Sequence, residues 1–157
     1  RQDGLRPLFI DPVDVVISDL PVGYYPDEDV SKDYQLNSKE EMPYAHHLFI
    51  EQSMRYVKEG GYLYFLVPAS LFESKQAGQL HKFIKEQGSI QAVLQLPDSL
   101  FKTKGQEKSL VILQKKSDSL RAPKDVLLAK VPNMTNREAM ALFLEKINTW
   151  QKEKSSM

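Results

Sequence analysis

Apolar residues in this chain fall into short blocks, most of them closed by a turn-forming residue, and their spacing changes from block to block. Val13 to Ser18 is a nearly unbroken apolar run that ends in Asp19, the pattern of a parallel strand covered by helices on both faces. The polar, acidic stretch from Pro26 to Pro43 is longer than most connections in compact domains and has the character of a lid or binding loop. Tyr44 to Glu59 reads as a helix, with Ala45, Leu48, Phe49, Tyr56 and Val57 near one face and Gly60-Gly61 as its stop. Tyr62 to Val67 is a second apolar strand, halted by Pro68. Ser74 is placed to cap a second helix, with Leu80, Phe83 and Ile84 inward and Gly88 after its end. Ile90 to Leu96 is a third strand ending at Pro97, and Leu110 to Leu113 a fourth. Asp125 to Val131 predicts a short further strand. Thr135-Asn136-Arg137-Glu138 has the form of a capping box, and the helix it opens is expected to bury Ala139, Leu142, Phe143, Ile147 and Trp150 on one stripe.

The early alternation of strand, helix, strand, helix, strand predicts an α/β sheet with crossover helices. The connection between the third and fourth strands, residues 97–109, lacks helical periodicity, so these two are expected to form an antiparallel pair at the sheet edge. In open α/β sheets ligands bind beyond the carboxyl ends of the strands. Asp19 therefore marks a candidate active-site edge.

A chain of 157 residues holds one domain with a sizeable core. Net charge is zero, which argues against nucleic-acid binding by bulk charge and leaves a local basic face open. The absence of cysteine removes disulfides and thiolate chemistry. No apolar segment of membrane-spanning length and no signal-peptide pattern is present, so the chain reads as soluble and cytoplasmic, with no membrane partner. It begins at Arg1-Gln2-Asp3 without a methionine, and reads as the interior of something longer.

Taken alone, a strand-ending Asp followed by tyrosines is an ordinary structural arrangement. Its downstream company changes that. Asp19-Leu20-Pro21-Val22 occupies the place of the (Asp/Asn/Ser)-Pro-Pro-(Tyr/Phe) motif of N6-adenine-specific DNA methyltransferases. Gly60-Gly61 with the following strand and Pro68 resembles the next sheet segment of those enzymes. Ile90 to Leu96 with Pro97, Leu100 and Phe101, then Lys108 to Leu113, resembles the modification subunits of type I restriction systems, and the YtxK-type adenine methylases most of all. The resemblance covers roughly residues 1–116. It implies a partial Rossmann-like class I methyltransferase sheet (the latter strands, with the antiparallel edge pair) plus a C-terminal helix. Residues 1–116 would be the C-terminal half of a methyltransferase domain, and 117–157 a linker, short strand and helix packing on it.

The resemblance also implies roles. Asp19 and the Leu20 carbonyl would take the two hydrogens of the target amine, Pro21 would stiffen the turn, and Val22, Tyr24 and Tyr25 would line the base pocket. Asp3 and Gly4 would contact the cofactor, S-adenosylmethionine, although an Asp-Gly turn is as ordinary a reading. DNA is the expected partner. Two positions depart from the motif: Leu20 replaces the first proline, and Val22 replaces an aromatic whose stacking is worth about 1–3 kcal/mol per base. Methyl transfer to RNA or to a protein amide nitrogen, and a non-catalytic binding module, are the alternative readings. No glycine forms a G-x-G turn, so the main cofactor half is expected upstream. Without that half the first strand would carry a free apolar edge and invite self-association.

His46-His47 invites a metal reading, but neighbouring helical residues diverge by about 100°, and a partly exposed pair without metal is expected. Lys102, Lys104, Lys108, Lys115 and Lys116 make a basic segment, read as a solvated loop before a phosphate contact.

Overall fold

The computed structural model describes residues 1–155, so the last two residues of the 117–157 segment lie outside the described residues. The apolar run at Val13 forms β1 (Val13–Asp19). A short helix, α1 (Glu28–Ser31), and the crossover helix α2 (Ala45–Tyr56) lead to β2 (Val57–Pro68). Then come α3 (Ala77–Gln87), β3 (Gly88–Gln95), a 3-10 turn at Asp98–Leu100, β4 (Lys108–Lys115), β5 (Leu127–Lys130) and α4 (Arg137–Ser155). The five strands form one mixed sheet in the order β1-β2-β4-β3-β5. β1 runs parallel to β2 and β5 parallel to β3, while β4 runs antiparallel to both its neighbours. The predicted antiparallel pair therefore exists, but it is not at the edge: β4 is inserted between β2 and β3, and β5 takes the edge.

The two faces of the sheet bury different clusters. Leu63, Phe65 and Val67 of β2 and Val111 and Leu113 of β4 pack with Leu48, Ile50 and Met54 of α2 and Leu80, Phe83 and Ile84 of α3. Full burial of each such side chain contributes about 1.5–3 kcal/mol. On the opposite face Ala92 and Leu94 of β3 meet the stripe Met140, Phe143, Ile147 and Trp150 of α4. The expected stripe is thus shifted: Ala139 is half-buried and Leu142 is exposed. The cap is shifted as well. Asn136 Oδ1, not Thr135, accepts the Ala139 amide at 3.1 Å, because Thr135 donates its hydroxyl to Asn133 Oδ1. Ser74 likewise is no side-chain cap; its hydroxyl turns back to the Leu71 carbonyl, and α3 starts after Gln76.

Three further expectations are corrected. α2 stops at Tyr56, and Val57 to Glu59 already belong to β2. Gly60-Gly61 is a bulge within that strand rather than a helix stop: Val13 pairs with Val57 but Val15 with Tyr62, and Gly60 has φ +76°. A Cβ on Gly61 would lie 2.8 Å from the Asp14 carbonyl, so the bulge admits no side chain there. Second, β1 is covered on one face only. α4 sits over the β3–β5 end, leaving Ile17 75% exposed and Val15 open on the far face, and β1 pairs on one side only among the described residues.

Third, the acidic stretch 26–43 is packed down rather than lid-like. Val30, Tyr34 and Leu36 join the core, and the buried Glu51 carboxylate accepts the Gln35 and Leu36 amides at 2.8 and 3.0 Å and pairs with Arg55 at 3.1 Å. Replacing Glu51 by Ala leaves the buried Leu36 amide without its acceptor, while Arg55 keeps the Asp33 carbonyl, and is expected to cost about 1–3 kcal/mol. Urea unfolding of the variant against the parent reads this directly, and an unchanged midpoint would show that the stretch is not held through Glu51.

Candidate active site

The carboxyl ends of β1, β2 and β3 all point to one edge of the sheet. Two other elements begin there. α2 starts at that edge because it is the crossover from β1 to β2, and β4 starts there because an antiparallel strand begins where its parallel neighbours end. Asp19 closes β1 at this edge with its side chain 58% exposed. Leu20, next in the chain, is buried in the main core; its amide donates to the Leu66 carbonyl at 3.1 Å, and its own carbonyl accepts nothing from the described residues. The pair thus combines an anchored backbone with an unengaged main-chain carbonyl and an exposed carboxylate.

Lys108, the first residue of β4, places Nζ 2.6 Å from Asp19 Oδ1. The sequence places Lys108 in a solvated basic loop; in the structure its side chain is only 27% exposed and engages Asp19. The remaining oxygen, Asp19 Oδ2, carries no hydrogen bond from the described residues. Pro21 and Val22 lead outward, with Val22 60% exposed. Gly23 turns the chain at φ +125°, the one conformation here that favours glycine, and its carbonyl accepts the Ala45 amide at 2.8 Å.

Beyond the turn the two tyrosines part. Tyr24 bridges to Tyr44 through the backbone and stacks on its ring at 4.9 Å. Tyr25 donates its hydroxyl to Asp3 Oδ2. The same Asp3 carboxylate accepts the Leu5 amide at 2.9 Å. The Tyr25 hydroxyl, and after it the Leu5 amide, hold the Asp3 carboxyl below its usual value. Burial, then the Asp3 bond, pushes the Tyr25 phenol up. Gly4 is pinned on α2: Gln52 Nε2 donates to its carbonyl at 3.1 Å, and a Cβ there would meet the Phe49 ring at 3.1 Å. Of the site residues named from the sequence, Asp19 stays with Leu20 and Asp3 meets Tyr25, while Tyr24 stacks on Tyr44, which is not among them.

The Tyr24–Tyr44 stack continues into α2. Tyr44 stacks on His46 at 5.0 Å and meets His47 edge-on at 5.1 Å. Both histidines are buried, at 5% and 1% exposure, which corrects the partly exposed pair expected from the sequence. Burial lowers His46 to about 4 and His47 to about 3, so both are neutral at pH 7. Neither His46 Nδ1 nor His47 Nε2 has a hydrogen-bond partner. No group of three or more metal-ligating side chains occurs among the described residues. Farther along the same sheet edge, toward β5, Ala69, Ser70, Gln95, Ser109 and Lys130 line an open cleft of about 600 Å3.

Comparison with known proteins fits this geometry. The sequence profile described as N-6 DNA methylase matches residues 5–153. The YtxK protein of Bacillus subtilis is 48% identical over 153 residues, which are 98% of this chain and 46% of that protein. A crystal structure from Listeria monocytogenes, of a protein assigned to the class I S-adenosylmethionine-dependent methyltransferases, superposes with a TM-score of 0.89 at 48% identity, over 95% of this chain and 46% of that one. The methyltransferase subunit of the type I restriction-modification system of Streptococcus thermophilus shares the fold at 17% identity, with a TM-score of 0.68 over 94% of this chain and 35% of its own. The chain spans about half the length of the Bacillus subtilis and Listeria monocytogenes relatives.

Proposed function

This chain belongs to the N-6 DNA methylase family, and we propose that it carries the amine-orienting part of an S-adenosylmethionine-dependent N-methyltransferase acting on the N6 amine of adenine in DNA. One observation carries the reading. A half-exposed carboxylate with a free oxygen stands next to an anchored residue with a free carbonyl, at the sheet edge where ligands bind. An exocyclic amine is a poor nucleophile because its lone pair is delocalised into the ring. Asp19 and the Leu20 carbonyl each accept one of its hydrogens, which draws the nitrogen toward tetrahedral geometry and localises the pair. Pro21 keeps the two acceptors at a fixed angle. This is catalysis by orientation and fixed dipoles.

The cofactor supplies an electrophilic methyl group when bound. Of the residues here, Asp3 and Gly4 suit it: the Asp3 carboxylate is half-buried, fixed by Tyr25 and Leu5, and retains lone pairs for an amine or hydroxyl donor. A flipped base needs an aromatic face, and with Val22 at the usual position that face is assigned to Tyr24, held flat by Tyr44. Residues 1–116 are assigned to the catalytic half of the domain and 117–157 to an appended strand and helix. A DNA substrate places the work in the cytoplasm; no helix among the described residues is long and apolar enough to cross a membrane.

The free edge of β1 is assigned to the rest of the protein. In the full-length protein the outward amides of Val13 to Asp19 are then expected to exchange slowly with solvent, and fast exchange there would remove the assignment. The function itself is tested by treating DNA with the full-length protein and labelled S-adenosylmethionine, then digesting it for mass spectrometry. Label on adenine N6 supports the reading. Label on protein amide or RNA favours the alternative acceptors, toward which the non-aromatic Val22 already points, and cofactor binding without any transfer favours the binding module.

A further inference from the structure

The Asp19–Lys108 contact joins strands that are not neighbours, since β2 lies between β1 and β4. In the register Asp19 faces Leu66, while Lys108 faces Pro68 two residues further on. The lysine stem therefore crosses the end of β2 to place its ammonium on Oδ1. Its geometry is that of a short charge-assisted bond, 2.6 Å between Nζ and Oδ1. Such a bond does more than neutralise charge. An exposed aspartate rotates freely about its side-chain torsions, and each turn moves both oxygens. With Oδ1 held from across the sheet edge, the carboxylate keeps one orientation, and Oδ2 is its unengaged oxygen among the described residues.

We propose that Lys108 is the positioning residue of this site: it clamps Asp19 Oδ1 so that the carboxylate meets the target amine in one fixed orientation, with Oδ2 as its unengaged oxygen. The proposal rests on the methyl-transfer reading above and extends it to a residue on another strand. Lys108 does not touch the reacting nitrogen and acts through Asp19. Its positive charge beside the acceptor carboxylate also opposes a second cation in the same place, which favours a neutral conjugated amine or amide over an alkylammonium acceptor.

The test uses the full-length protein, with labelled S-adenosylmethionine and adenine-containing DNA, and compares Lys108→Met, Lys108→Arg and the double variant with Asp19→Ala. Lys108→Met is expected to lower kcat about tenfold or more with KM for DNA nearly unchanged, because misplacement of an orienting group acts on the chemical step. Lys108→Arg restores a charge-assisted bond and recovers most of the loss. Adding Lys108→Met to Asp19→Ala produces no further loss. Unchanged kcat in Lys108→Met overturns the proposal. So does a rise in KM alone with a weaker salt dependence, which would make Lys108 a phosphate anchor. A fall in thermal stability that tracks the fall in rate, without rescue by arginine, would make it a structural staple and also overturns it. Parent protein that labels no nitrogen removes the methyl-transfer reading itself, and the role of Lys108 goes with it.

Discussion

Asp19→Ala in the full-length protein is expected to lower methyl transfer by about 10²–10³-fold while leaving cofactor binding and thermal stability close to those of the parent. The magnitude is that of removing one preorganised hydrogen-bonding group from a reacting centre. Asp19 is suited to such a clean result. Its side chain is 58% exposed and its one ion-pair partner, Lys108, keeps access to water, so truncation creates neither a cavity nor a stranded charge. Asp19→Asn retains one carbonyl oxygen and is expected to fall between parent and Ala. Transfer rates by single turnover, paired with a cofactor titration, separate the two effects. A parent-like rate for Asp19→Ala would leave the amine without its assigned acceptor and end the reading of this site.

Acid is expected to weaken the fold on the order of a few kcal/mol between pH 6.5 and pH 4, through His46 and His47. Both side chains are neutral in the folded state down to about 4 and about 3, against an ordinary value of 6.5. Unfolded chains bind these protons as pH drops through 6.5 and folded chains do not, so stability is greatest above 6.5 and declines as pH falls. Asp3 contributes in the opposite pH range, because a carboxyl held below 3.8 loses its stabilisation only in stronger acid. Urea midpoints at pH 7.5, 6 and 5 separate these contributions. His47→Leu is expected to flatten the decline, and at pH 7.5 to cost little, since it removes a buried Nε2 that has no partner. A slope between pH 6.5 and 5 that survives both His46 and His47 replacements would show that other groups carry it.

Much of this was legible along the chain, for a physical reason. Apolar runs such as Val13 to Ser18 and Tyr62 to Val67 carry their own period, and Gly88 or Pro68 ends an element by local chemistry alone. Val57 to Glu59 failed because helical periodicity ran on past a boundary that the pairing of β1 with β2 decides. The interior position of β4 was not legible, since strand order is a property of long-range pairing. That one miss hid Lys108: only with β4 running antiparallel beside β2 does its first residue reach Asp19. The histidine pair failed likewise, because its burial comes from Tyr44 and the chain turning back at Gly23. The place of Asp19 at the end of β1 was legible because a carboxylate before a Leu-Pro turn closes an apolar run locally, while its candidate role came from the ordered downstream segments.

Inserting β4 between β2 and β3 also orders events during synthesis. β3 is complete by residue 95, but its partner toward β2 starts only at residue 108, and β5 on its other side later still. On the ribosome the emerging chain is therefore expected to hold β1 beside β2 while β3 still lacks β4, the strand that joins them. Asp19 and Lys108 stand 89 residues apart, so their contact waits until β4 begins, well after the Asp19 motif has been made. A chain that ends before residue 108 carries the Asp19 motif without the lysine proposed to orient it. On the proposed methyl-transfer reading, transfer is thus expected to need a chain that has reached β4.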